Sequence, residues 1–297
     1  MSTLVLIDGN AIMHRAFHAM PPLSTPKGEP INAVHGFVSM ILKAVQDLRP
    51  TALAVAFDEK GKTFRQKELP TYQAQRPPVA DELSSQFAKA RDFLSAAKIP
   101  AYSMSGYEAD DVIGTIANKF DGDVVIATGD RDILQLVNNK IKLYMPVAGV
   151  INAKLYSEAD TIARMGVPPK LIPDYKGLVG DPSDNYFGVP GIGPKTAINL
   201  LNEFGNFHAI YKNLDKIPEK LREKLTNGKD SAFQSFKLAT IITDVPVKFD
   251  FTEMAKWNLG SPEIVKLFAD KFGFKTLTER IKKVGKEIED SKQGALF

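Results

Sequence analysis

The chain has no cysteine, a single tryptophan and only four histidines among its 297 residues. Without thiols there is no disulfide, thiolate nucleophile or thiolate zinc centre, and a reducing cytoplasm suits such a chain. It also lacks any run of about 18 apolar residues, so no membrane span is expected. The N-terminal segment Met1-Ser2-Thr3-Leu4-Val5-Leu6-Ile7-Asp8 has neither a basic stretch nor a cleavage site, and reads as a strand in place of a signal peptide. His14, His18, His35 and His208 show no ligand spacing; His14 and His18 stand at i, i+4 without the flanking pattern of a zinc site, and no catalytic role is read into them. No oligomerisation signal stands out, which suggests a monomer.

A strong charge imbalance is missing too. The net charge is +3, from 38 basic and 35 acidic residues. The distribution is more telling, because nine of the acids fall into motifs that converge on one site. With those set aside the remainder of the chain is strongly basic, which is compatible with a phosphate-backbone partner.

What is present is an ordinary globular composition, 44% hydrophobic and 25% charged. Apolar runs at Thr3–Ile7, Ala52–Phe57 and Asp123–Thr128 read as buried parallel strands, with Ile99–Tyr102 and Ile141–Tyr144 as weaker candidates. Helical periodicity covers Asn32–Leu48, with Asn32 as its N-cap, and recurs over Asp81–Ala97 and Glu108–Phe120. Strands alternating with helices predict an α/β fold with a mostly parallel central sheet flanked by helices. From about Ser157 strand signals stop and short helical patterns run to about Lys283. The expected organisation is an α/β catalytic unit at 1–156, a helical unit at 157–284 and a flexible tail at 285–297.

Asp8 follows Leu-Val-Leu-Ile, Asp58 follows Ala-Val-Ala-Phe, and Asp130 and Asp132 follow Val-Val-Ile-Ala-Thr-Gly. In a parallel sheet these carboxylates meet at the carboxyl edge, where open α/β sheets bind ligands. Each alone reads as a helix cap; three strands in succession read as a site. Glu108-Ala109-Asp110-Asp111 and Asp181-Pro182-Ser183-Asp184 add five more acids, which repel one another unless cations intervene. An all-oxygen set favours Mg²⁺, with Mn²⁺ as a substitute, over zinc. So many carboxylates suit two ions about 4 Å apart, the arrangement used for phosphodiester cleavage.

Gly188-Val189-Pro190-Gly191-Ile192-Gly193-Pro194-Lys195-Thr196 leads into the helical run Ala197–Phe204. Pro194 breaks the Walker A pattern and Thr196 breaks the dinucleotide pattern. A helix–hairpin–helix-like turn remains, with Gly191, Gly193, Lys195 and Thr196 facing a duplex phosphate. The competing reading is a tight turn between packed helices.

Together LIDGN, Asp58 with Phe64-Arg65, Tyr72–Pro78, GYEADD, TGDRD, GDPSDN and GVPGIGPKTA resemble the bacterial 5′ nuclease family: the N-terminal domain of DNA polymerase I and its stand-alone relatives, more distantly the flap endonucleases. The motifs span roughly residues 1–285. The resemblance implies a PIN-like α/β fold with an H3TH motif at about 186–204, and a two-metal nuclease acting on flaps, nicks and 5′ ends of branched DNA, RNA primers included, in primer removal and repair. It implies metal-binding roles for Asp8, Asp58, Glu108, Asp110, Asp111, Asp130, Asp132, Asp181 and Asp184, and K⁺ on carbonyls of the glycine turn. Residues 59–80 match a mobile arch for single strands, carrying Lys60, Lys62, Arg65, Lys67 and Arg76. Arg76 matches an arginine facing the scissile phosphate, with Lys67 or Arg65 as further cations; Tyr72 is open between stacking a base and packing as a core aromatic. Two departures stand out: Gln73 replaces a customary lysine, and Tyr186-Phe187 replaces an aliphatic residue and proline.

The terminal Gln293-Gly294-Ala295-Leu296-Phe297 resembles the bacterial sliding-clamp peptide, placing Gln293, Leu296 and Phe297 in a clamp pocket; the alternative is an ordinary frayed tail. Gln73 also keeps open a non-catalytic junction-binding module. A PIN-type ribonuclease would need neither Gly188–Thr196 nor the long helical half, and Asp8-Gly9-Asn10 lacks the second aspartate of aspartyl-phosphate chemistry.

Overall fold

Apolar runs screened from water on both faces make the centre of the sheet. The computed structural model, which describes residues 2–149 and 152–294, places β1 (Thr3–Asp8), β2 (Ala52–Ala56), β3 (Ala101–Tyr102), β4 (Asp123–Ala127), β5 (Ile141–Ala148) and β6 (Asn152–Tyr156) in one sheet of order β3-β2-β1-β4-β5-β6. All pairs are parallel except β5 with β6. The register sets Asp8 opposite Ala56, and Ile7 opposite both Val55 and Ala127. Asp8, Asp58 and Thr128-Gly129-Asp130 therefore leave the sheet at one edge. The chain passes from β1 to β2 on one side and later to β4 on the other, which opens a crevice at that switch point.

Helices α1 (Gly9–Ala19), α2 (Asn32–Leu48), α3 (Phe64–Glu68), α4 (Asp81–Ser84), α5 (Gln86–Ala96) and α6 (Ala109–Lys119) connect these strands. Two sequence expectations need correction. The N-cap of α2 is Ile31, not Asn32; the Gln86 side-chain carbonyl accepts from Ala33 N (2.7 Å) and Val34 N (3.3 Å), capping α2 from a distant helix. The helix expected over Asp81–Ala97 is divided at Ser85 into α4 and α5.

The later part holds α7 (Glu158–Met165), α8 (Ile172–Val179), a ribbon of β7 (Gly180–Asp181) and β8 (Tyr186–Phe187), α9 (Pro194–Phe204), α10 (Phe207–Lys212), α11 (Glu219–Asn227), α12 (Lys229–Ala239), α13 (Phe251–Met254), α14 (Pro262–Lys266) and α15 (Lys275–Gly294). The ribbon was not foreseen. It closes tightly: Gly180 has φ +75°, and a Cβ on Gly188 would lie 2.2 Å from the Leu178 carbonyl oxygen. In place of a flexible tail from residue 285, α15 continues to Gly294.

Two cores lie on the two faces of the sheet. One joins Ile12, Phe37 and Phe93 to Trp257, Phe268, Phe272 and Ile281, so residues 257–284 return to pack against the first half. The other joins Val112, Ile113 and Ile116 of α6 to Ile172, Leu200 and Phe207, fixing the helical part against the same sheet. Among the described residues no helix is long and apolar enough to cross a membrane.

Candidate active site

The carboxyl edge of the sheet opens into a cleft of about 490 Å³, lined by Asp8, Asp58, Glu108, Asp110, Asp130, Asp132 and Asp184, with Asn10, His14, Arg65, Tyr72, Gln73 and Arg76 in its walls. The local structure explains how so many acids are held. Asp8 is both cap and site residue: it accepts from Ala11 N at the start of α1 (2.9 Å) and from the Thr128 hydroxyl (2.7 Å). Asp58 accepts from Ala109 N at the start of α6 (2.7 Å), while its own N–H donates to Asn10 (3.1 Å). Asp130 accepts from Asp132 N (2.8 Å). Helix N-termini and free N–H groups thus offset part of the negative charge.

They do not offset all of it. Burial, aided by Asp130 and Asp58 and opposed by hydrogen bonds, pushes Asp8 up to about 7. Burial pushes Glu108 up to about 7 despite Arg65, and Asp132 up to about 6 despite Lys176. Asp110 is held well above the usual carboxylate range by burial and by Asp130, Asp8, Glu108 and Asp132. Unrelieved carboxylate repulsion of this kind is what divalent cations remove. Oxygens of Asp132, Asp181 and Asp184 also lie within 4.8 Å of one another. The donor set is all oxygen, so the residues fit a hard divalent cation.

Four expected residues occupy other roles. Asp111 is fully buried and absent from the cleft wall; it binds Arg65 through both oxygens (2.7 and 2.9 Å) and accepts from Ile242 N (2.9 Å). It is a structural counterion, one layer behind the expected ligands. Arg65, 2% exposed, also donates to Glu108 (3.0 Å) and to the Leu238 and Thr240 carbonyls, so its hydrogens hold the cleft wall together. Lys67 is exposed on α3 and does not line the cleft. Tyr72 is a packed aromatic: its ring stacks on Tyr186 (centroids 6.2 Å apart), and its hydroxyl reaches Glu108 (3.4 Å) and Asp184 (3.3 Å).

Residues 64–76 lie anchored over the cleft. Gln73, at φ +57°, donates its backbone N–H to the Asp184 carbonyl (3.0 Å) and its side-chain amide to the Asp184 carboxylate (3.2 Å). Arg76 pairs with the same carboxylate and is half-exposed at the rim. Gln75 donates to the carbonyls of Pro182 (3.0 Å) and Ser183 (3.1 Å), and Asn185 donates to the Thr71 carbonyl (2.8 Å).

Sequence reasoning missed two residues: His14, which lines the cleft, and Lys176, which pairs with its acids. Buried Lys176 on α8 bridges Asp132 and Asp181; its signal was a lysine in an apolar helical stretch five residues before Asp181. His14 faces Asp58 from α1, six residues after Asp8 and so nearly two turns on, and its pKa is held below the ordinary value chiefly by burial.

The glycine turn lies apart from this cleft. Gly193 caps α9 with Pro194 in its first turn, and Gly191, Gly193 and Lys195 are exposed with Thr196 half-buried behind them. Lys224 donates to the Gly191 carbonyl (3.0 Å), while the Val189 and Gly193 carbonyls accept from Ile192 and Ala197 N–H. Lys224 thus brings a cation to one of the carbonyls on which the resemblance expects K⁺.

Paired carboxylates at the switch point of a parallel sheet, with cations at the rim, define a phosphate-handling hydrolytic site. The family model of the 5′-3′ exonuclease N-terminal resolvase-like domain matches residues 3–166, and that of the 5′-3′ exonuclease C-terminal SAM fold matches residues 167–261. The 5′-3′ exonuclease of Aquifex aeolicus is 37% identical, with all of both chains covered. DNA polymerase I of Caldicellulosiruptor bescii is 45% identical over 86% of this chain and 31% of the polymerase, and that of Bacillus subtilis 39% over 96% and 33%. The chain thus spans about a third of the length of these polymerase relatives. Among solved structures, T5 5′-exonuclease with bound divalent zinc shares the fold at TM-score 0.64, with 22% identity over 97% of this chain and 98% of that one. The catalytic core of Rad2 with DNA substrate does so at TM-score 0.61, with 19% identity over 97% and 92%. The chain belongs to the 5′-3′ exonuclease family.

Proposed function

We propose that this protein hydrolyses DNA phosphodiesters at flaps, nicks and 5′ ends with two Mg²⁺ ions, in primer removal and DNA repair. The observation that carries this reading is the convergence of seven carboxylates from three strand ends, α6 and the turn after β7 on one cleft, with Arg76 at its rim. Divalent cations bound there would supply charge neutralisation of the phosphate, activation of water and stabilisation of the leaving oxygen. Asp58, Glu108 and Asp110 would hold one ion, and Asp130 and Asp132 the other with Asp184 nearby, while Asp8 and Asp181 would act through water.

The chain's own residues have distinct tasks. Arg76 meets the scissile phosphate, where a fixed cation offsets developing charge. Arg65 and Asp111 fix Glu108, and Tyr72 and Gln73 fix Asp184. Gly191, Gly193, Lys195 and Thr196 grip duplex phosphate at the start of α9. Residues 1–156 carry catalysis, with the 5′ strand guided by 59–80, and 157–284 carry duplex binding.

The test is a 5′-labelled flap duplex incubated with Mg²⁺ or EDTA, beside an Asp130→Ala/Asp132→Ala variant. Mg²⁺-dependent cleavage near the junction, lost in the variant, is expected. Tight junction binding without cleavage in Mg²⁺ or Mn²⁺ would instead make the chain a binding module. The Gln73 amide opposes that outcome, because it keeps a donor on Asp184. The clamp peptide ends in Leu296 and Phe297, which lie outside the described residues, as does the Gln293 side chain; a clamp pull-down unaffected by deleting 293–297 would remove that partner.

A further inference from the structure

One polar atom beside the carboxylates has no partner among the described residues. Tyr186 is 2% exposed, and its hydroxyl makes no hydrogen bond. The residue is held firmly, paired with Asp181 across the β7–β8 ribbon and stacked on Tyr72 with ring planes 16° from parallel. Tyr72 uses its own hydroxyl on Glu108 and Asp184. The Tyr186 hydroxyl lies in the field of Lys176, Asp132, Asp181 and Asp184. Those three carboxylates are the ones whose oxygens come within 4.8 Å of one another.

A buried hydroxyl left unbonded is costly, and phenylalanine would fill the same space without that cost. The hydroxyl therefore implies a partner that arrives with a ligand. Lys176, Ser183, Gln73 and Arg76 already draw on the oxygens of Asp132, Asp181 and Asp184. An ion held there keeps much of its water, as small divalent cations tend to do, and that water needs acceptors from the protein.

We propose that Tyr186 is a positioning residue for a hydrated divalent cation at Asp132, Asp181 and Asp184, its hydroxyl oxygen accepting a hydrogen bond from a water of the ion's shell. This rests on the metal-dependent reading above. It makes the ribbon part of the ion site.

Tyr186→Phe keeps the ring and the stack and removes only the oxygen. Mn²⁺ binding to the full chain without DNA, followed by calorimetry, should show the weaker class of sites losing affinity about five- to tenfold, the factor one neutral hydrogen bond carries. The stronger class should be unchanged, and stability in EDTA equal or higher. Asp184→Asn identifies the weaker class by weakening it further. Equal Mn²⁺ affinities in Tyr186→Phe and the parent would overturn the proposal, as would a loss of stability in EDTA, which would reveal a partner within the protein. If the parent binds no Mn²⁺ and Asp184→Asn changes nothing, the metal reading itself fails, which is a separate outcome.

Discussion

Lowering the pH should stabilise the metal-free protein. Asp8 and Glu108 are pushed up to about 7 and Asp132 to about 6, from ordinary values near 4. The folded state therefore binds more protons than the unfolded chain between about pH 4 and 7, so stability falls as pH rises through that window. Asp132 alone, displaced by about two pKa units, corresponds to roughly 3 kcal/mol at about 1.4 kcal/mol per unit. Most of that is lost below pH 5.5; the share that remains to be lost between pH 5.5 and 8 is roughly 0.8 kcal/mol, which at 2–4 °C per kcal/mol is a Tm about 2–3 °C lower at pH 8. His14 and His35, held below their ordinary value chiefly by burial, act in the opposite sense in the same window. Asp132→Asn leaves both histidines in place, so the parent-minus-variant difference isolates the carboxylate. Scanning calorimetry in EDTA at pH 5.5, 6.5, 7.5 and 8 supplies the curve, and Mg²⁺ should raise Tm more at pH 8 than at pH 5.5. A flat parent-minus-variant difference, or Mg²⁺ stabilisation equal at both extremes, would refute the reasoning.

Arg65→Met leaves Asp111 buried without its counterion and should cost about 3–5 kcal/mol in urea unfolding, part of it recovered in the double variant with Asp111→Asn. Gln86→Ala strips the first N–H groups of α2 of their acceptor and should cost about 1–3 kcal/mol, read from the same titration, with the metal site intact. Arg76→Ala should lower flap-cleavage kcat by about 10²-fold or more while leaving urea stability within about 1 kcal/mol, because its partner Asp184 keeps Gln73 and Tyr72 and the arginine is half-exposed. A stability loss matching the rate loss would make Arg76 structural.

The strand runs before Asp8, Asp58 and Asp130 were legible because burial on both faces leaves an unbroken apolar pattern, and parallel direction then brings their ends to one edge. The acids of Glu108–Asp111 were legible as a group, but not their division of labour. Helical rotation turns Asp110 into the cleft and Asp111 toward Arg65, a residue 46 positions away. The Gln86 cap, the Lys176 bridge and the Tyr72–Tyr186 stack leave no periodic trace, since each joins residues brought together only by the packing of distant elements. The β7–β8 ribbon escaped notice because two-residue strands carry too few side chains to alternate. The sequence by itself determined the class of site, through short motifs whose acids lie next to the strands or turns that aim them. Only the tertiary structure decided which acids face the cleft, which are neutralised behind it and which cations share them, because those outcomes depend on distances between segments that no local pattern encodes.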